Sequence, residues 1–231
     1  MKIVVNHLTR MKPGYICVAG IDPSDENHVR PVLENGRLTI KLLAREGGPF
    51  GIATVVDLGE VTASGSVPEV EDHVFVPANA KGTNVLPHTK FWKMLASVSQ
   101  PSLAAIFGND LKPNGNGMAV DVGSGKASLG CLLPRTRPSV EVDSYKKVKV
   151  RLTEGNASLY LSVTDLRLYG QDQETSQAKL VADLDRRIRA GTRVILAVGL
   201  TRAWTKPGDS EKRHFLQVNN LHLEDDPCWS G

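Results

Sequence analysis

Aromatic residues make up only 5% of the 231 positions, so any core must rest mainly on Val, Leu, Ile and Ala. Cysteine is scarce too. Cys17, Cys131 and Cys228 lie far apart, and none has the Cys-x-x-Cys or Cys/His spacing of structural zinc. They read as buried or incidental thiols, and neither a metal site nor a cofactor is expected. No apolar run approaches the ~18 residues a membrane span requires, and the run opening at Met1 is too short for a signal peptide. The expectation is a soluble cytoplasmic protein with no membrane partner. No serine sits in a Gly-x-Ser-x-Gly elbow. Charge of one sign is nearly absent as an excess: the net value is +3, which permits an anionic partner without requiring one.

The glycine-rich stretch from Met118 to Gly130 invites comparison with a phosphate loop. That motif needs Gly, four intervening residues, then Gly125-Lys126 and a hydroxyl after it, whereas the chain has Val120 and Ala127. A plain turn between strands is expected.

What is present is alternation. Short β-prone runs at 2–6, 14–21, 28–33, 37–43, 52–61 and 68–76 are punctuated by turn residues, with no helical spacing among them. Pro31 cannot donate to a ladder, which places it at an edge or bulge. Residues 79–117 change character: Thr89 is a candidate N-cap for a helix over 90–97, and Pro101 suits the start of another running to Phe107.

From Tyr145 to Leu223 the pattern is strongest. Val148, Val150 and Leu152 alternate with Lys147, Lys149 and Arg151; Leu159, Leu161 and Val163 alternate with Ser158, Tyr160 and Ser162. Glu154-Gly155-Asn156 marks the hairpin between these runs. Apolar parity then shifts to Leu166 and Leu168, implying a bend near Thr164. Ala178, Val181, Leu184 and Ile188 form a helical stripe over about 175–190, closed by Gly191. Runs at 193–204 and 213–223 follow. With Val140 to Val142 as lead-in, the order is three strands, a helix and two strands, as in an oligonucleotide/oligosaccharide-binding (OB) barrel.

Asn6 to Met11 with Gly14 to Asp22 resembles the start of the prokaryotic dual-OB-domain family. His28 to Leu33, Pro68 to His73, Ser128 to Gly130, Leu161 to Leu168, Val198 to Trp204 and Leu216 to Glu224 are similar to its later motifs. The resemblance covers nearly the whole chain. It implies a mainly β protein of two OB-like β-barrels in tandem and a nucleic-acid-binding role, and it assigns no activity. The expected organisation is an N-terminal OB-like domain over 1–78, a short helical connector over 79–117 and a C-terminal OB-like barrel over 118–231.

The expected function is noncatalytic binding of single-stranded or irregular DNA or RNA. Cations meet phosphates while aromatic rings stack bases, and the residues offering both are Lys147, Lys149, Arg151, Tyr160, Arg202 and Trp204. Gln217 could read a base edge. A second group, His7, Arg10, His28 and Arg30, is expected at a barrel rim, where Arg offers a fork and His a donor or acceptor. Two other readings stay open. One is a regulatory subunit that binds a protein partner. The other is a metal-dependent nucleic-acid or nucleotide enzyme centred on Glu71, Asp72 and His73. A nuclease site needs carboxylates converging from several strands, whereas charge guarding a sheet edge would explain this cluster without chemistry.

Overall fold

The computed structural model describes residues 1–229; Ser230 and Gly231, the last two positions of the expected C-terminal barrel, lie outside the described residues. The first seven strands are β1 (Lys2–Arg10), β2 (Ile16–Ile21), β3 (His28–Val32), β4 (Thr54–Asp57), β5 (Val61–Ala63), β6 (Asp72–Phe75) and β7 (Lys81–Val85). They form one sheet in the order β5-β6-β3-β2-β1-β4-β7. β1 is buried at seven consecutive positions, Ile3 to Thr9, so alternation is hidden there. The cause is a second layer. Ile3 and Val5 pack inward with Val18, Phe50 and Val56, while Val4 packs outward with Phe91, Leu95, Cys131 and Ile195.

Two helices follow: α1 (His88–Val98) and α2 (Leu103–Phe107), separated by β8 (Ser99–Gln100). α1 buries Phe91, Trp92 and Leu95 on one face. It fills the apolar seam between the halves, where each fully buried large side chain contributes about 1.5–3 kcal/mol. Pro87, rather than Thr89, stands at its N-cap, so the helix starts two residues earlier than the spacing suggests. α2 is capped by Ser102 Oγ, which accepts from the Ala105 N–H at 3.2 Å.

The remaining strands are β9 (Lys112–Asn114), β10 (Gly117–Asp121), β11 (Leu129–Leu132), β12 (Ser139–Val142), β13 (Val148–Glu154), β14 (Ala157–Ser162), β15 (Val194–Leu200) and β16 (Arg213–Leu223), with α3 (Ala178–Arg189) between β14 and β15. One sheet runs β8-β11-β15-β16-β10-β9 and the other β12-β13-β14. A bridge from Val163 to Val218 joins them just where the parity shift predicts a bend. The two sheets curl around a single core of Val148, Val150, Leu161, Leu196 and Val218. α3 closes that core with Val181, Leu184 and Ile188, and half-buried Asp185 accepts from the Val140 N–H of β12 at 2.9 Å.

The halves are joined by polar contacts as well. Asn220 on β16 spans Leu8 on β1, accepting from its N–H at 2.7 Å and donating to its carbonyl at 3.3 Å. Glu71 reaches across to the turn before β11, accepting from the N–H groups of Ser128 and Leu129 and from the Ser128 hydroxyl, at 2.7–3.0 Å. Fully buried Asp165 bridges to Thr9 through its backbone and pairs within its own half with Arg167 at 2.8 Å.

Several segments differ from their sequence reading. The run at 52–61 breaks after Asp57, that at 68–76 is a strand only over Asp72–Phe75, and Lys112–Asn114 in the connector is a strand. Residues 37–43 form no strand but turn through short 3-10 helices over 40–42 and 44–46. Lys81–Val85, inside the stretch read as a helical connector, is an edge strand on β4. β3 lies inside its sheet, yet its ladder with β2 ends at Val29, so Pro31 has no N–H to give on that side.

Candidate nucleic-acid interface

In the order β12-β13-β14-α3-β15-β16, the second and third strands form a hairpin, and the loop over 201–212 joins the fourth to the fifth. A groove of about 490 Å³ lies where these meet, lined among others by Lys149, Tyr160, Trp204, Lys206, Phe215 and Gln217. β13 carries Lys149 and β14 carries Tyr160, on the face opposite the buried Val150 and Leu161. Trp204 is fixed by a two-way backbone bridge to Arg213, 3.1 Å in each direction. Its ring stands edge-on to Phe215 at 5.3 Å and remains 44% exposed. Lys206 Nζ lies 3.9 Å from the centre of the Phe215 ring and donates to Asn114 Oδ1 at 3.1 Å. The groove therefore offers the rings of Trp204, Tyr160 and Phe215 and two ammonium groups.

Its electrostatics are tempered by nearby acids. The Tyr160 hydroxyl donates to Glu141 at 2.8 Å, and Arg151 approaches the same carboxylate at 3.5 Å while lying 4.8 Å from the Tyr160 ring centre. Burial and that carboxylate push the Tyr160 phenol upward, so it stays a donor. Lys149 donates to Ser162 at 3.0 Å and stands 4.0 Å from Asp143. The exposed Arg151–Glu141 pair is weak and can exchange for phosphate.

Of the residues singled out from sequence, Lys149, Tyr160, Trp204 and Gln217 come together in the groove. Arg151 shares their strand face at its margin, and exposed Lys147 precedes β13, its N–H held by Asp143 at 2.8 Å. Arg202 turns elsewhere. Its guanidinium meets Asp72 at 2.5 Å and Glu69 at 3.4 Å, in the contact between the halves. Lys206 escaped the sequence reading because its loop has no periodicity; a cation two residues from Trp204 was the available signal.

The four residues expected at a rim are divided, and none forms an open cluster. Arg30 is buried in an ion pair with Asp72 at 2.5 Å. Arg10 lies over the Tyr169 ring at 4.1 Å and donates to the Gln173 carbonyl at 3.0 Å. His7 and His28 remain together, ring centres 5.4 Å apart, but His7 is buried against the other half, where Asn219 Nδ2 lies 3.0 Å from its Nδ1. Burial, then neighbouring His28, hold His7 well below its usual pKa, and burial lowers His28 to about 4. Burial pushes the adjacent Cys131 thiol up to about 12.

The acidic cluster diverges. Glu71 serves the backbone of 128–129, Asp72 holds Arg30 and Arg202, and Glu69 stands by Arg202 and His214. His73 Nδ1 faces the Glu71 carbonyl at 2.9 Å. The three carboxylates each reach a group of the other half, while His73 bonds within its own half.

Two curled sheet systems, each around its own core, define a tandem OB-barrel protein. A family model described as a dual OB-containing domain matches residues 1–221, and the chain belongs to that family. No curated protein and no solved structure matches it. Among the described residues no helix is long and apolar enough to cross a membrane.

Proposed function

We propose that the protein binds single-stranded or irregular nucleic acid, without catalysis, in the groove of its C-terminal half. The observation carrying this reading is the convergence of Lys149, Tyr160, Trp204, Lys206 and Gln217 in one groove. OB barrels take oligonucleotides on the face of strands two and three and on the loops flanking it; here those are β13, β14 and the loop over 201–212. Exposed rings stack bases regardless of sequence, and the cations follow the backbone. The acidic cluster supports the noncatalytic reading, because its carboxylates are committed to Arg30, Arg202 and the 128–129 backbone. We take 1–78, 79–117 and 118–231 as the working division into barrel, connector and barrel.

The test is equilibrium binding of the full chain to single-stranded DNA, single-stranded RNA, duplex and mononucleotides at two salt concentrations. The expected result is salt-sensitive binding that favours single strands. Equal, salt-independent affinity for all four ligands, or none, would refute the proposal. Stoichiometric retention of a protein partner by nucleic-acid-free material would favour the regulatory-subunit reading.

A further inference from the structure

Beside the seam between the halves, three donor residues from three strands meet. His7 lies on β1 at a register shift, His28 opens β3, and Cys131 sits in β11. One ring nitrogen from each histidine and the Cys131 sulfur all lie within 4.8 Å of one another. Among the described residues this is the one grouping of three His, Cys or carboxylate donors close enough to hold an ion. His28 Nε2 and Cys131 Sγ are 3.7 Å apart. In a tetrahedron with metal–nitrogen and metal–sulfur bonds of about 2.0 and 2.3 Å, that edge is about 3.5 Å.

The unpartnered atoms point the same way. His7 Nδ1 is engaged by Asn219, whereas His7 Nε2 is buried with no hydrogen-bond partner. An orphaned ring nitrogen on a side chain 1% exposed is costly unless something occupies it. A histidine ligand donates its other ring N–H to an acceptor, so binding through His7 Nε2 requires the Asn219 amide to turn and present Oδ1 to Nδ1. Asn6 Nδ2 donates to Cys131 Sγ at 3.3 Å, a contact that favours the thiolate a metal requires. The nearest fixed cation, Arg30, is offset by its ion pair with Asp72. His28 and Cys131 also line a cleft of about 300 Å³ together with Asn27 and Gln100, which gives an ion a route in and leaves one side of the trio facing the cleft.

We propose that His7 Nε2, His28 Nε2 and Cys131 Sγ form a site for a borderline divalent cation of the zinc class, its fourth position turned to the cleft. One thiolate with two imidazoles selects such ions over magnesium or calcium, which take oxygen ligands. Binding replaces the thiol proton, which is released to solvent, and draws His7 inward by up to ~1.5 Å to reach tetrahedral spacing. Because β1 and β3 belong to one half and β11 to the other, the ion cross-links the two barrels.

The test is titration of the full chain, stripped with a chelator, with Co²⁺ and then Zn²⁺. Expected is one equivalent of Co²⁺, giving a thiolate-to-metal charge-transfer band and intense tetrahedral visible bands that Zn²⁺ removes. Cys131→Ser should lose the charge-transfer band, and His28→Gln should weaken binding at least ~10-fold. Cys228→Ser should leave the spectrum intact. Partly buried His28 is the substitution least threatening to the fold, and circular dichroism verifies each variant. No uptake by folded wild-type protein would overturn the site, as would uptake left unchanged by both Cys131→Ser and His28→Gln.

Discussion

Replacing Trp204 by Ala separates binding from folding more cleanly than any other substitution in the groove. The backbone bridge to Arg213 does not use the side chain, and the ring is 44% exposed. Its structural loss is the edge-on contact with Phe215, worth about 0.5–1.5 kcal/mol, or roughly 2–4 °C in Tm per kcal/mol for a chain of this size. Its binding loss is a stacked base, worth about 1–3 kcal/mol, which corresponds to roughly 5- to 150-fold in Kd. Two readouts apply. Fluorescence anisotropy of a labelled single strand gives Kd. Intrinsic emission gives the site, because Trp92 and Trp229 are buried and Trp204 is the indole a ligand can quench. Trp204→Phe keeps a stacking face and should recover most of the affinity. If Trp204→Ala binds within about twofold of wild type while folded, base stacking at this loop is refuted.

Lys206→Ala should lower the slope of log K against log salt by about 0.7, the share of one phosphate contact on a single strand, and binding isotherms across a salt series measure it. Glu71→Ala strands two buried N–H groups and a hydroxyl at the junction between the halves, a loss on the order of 3–5 kcal/mol readable by urea unfolding; a change below about 1 kcal/mol would show that water replaces the carboxylate. His222 is fully buried, its ring nitrogens facing the Asn6 and Pro227 carbonyls. Burial and then the Arg167 guanidinium outweigh those carbonyls and lower its pKa to about 4. The unfolded chain thus takes up the proton first as pH falls. Its contribution is full above about pH 6.5 and declines toward pH 4 by up to about 3 kcal/mol; His222→Gln should flatten that decline in unfolding free energy.

The C-terminal strands were legible because each wets one face, so Val148 to Leu152 and Leu159 to Val163 alternate cleanly. β7 was not, since all five of its positions are exposed and only its backbone ladder with β4 makes it a strand. Residues 37–43 alternate because Leu38, Ile40 and Leu42 pack on the N-terminal core from turns, a pattern that hydrophobicity alone cannot tell from a strand. Strand faces located Lys149 and Tyr160 correctly as neighbours. Parity failed for Arg202 because β15 ends at Leu200 and the loop beyond obeys no two-residue period. His7, His28 and Cys131 converge only through tertiary structure, the last two being separated by 103 in sequence. Local spacing had no means of joining them.

The central claim is the location of the groove, and photo-crosslinking addresses it most directly. A single strand carrying 4-thio-substituted bases, irradiated with the full chain and mapped by mass spectrometry, should attach to the peptides containing Tyr160 and Trp204. Attachment confined to residues 1–85, with Tyr160 and Trp204 untouched, would contradict the assignment.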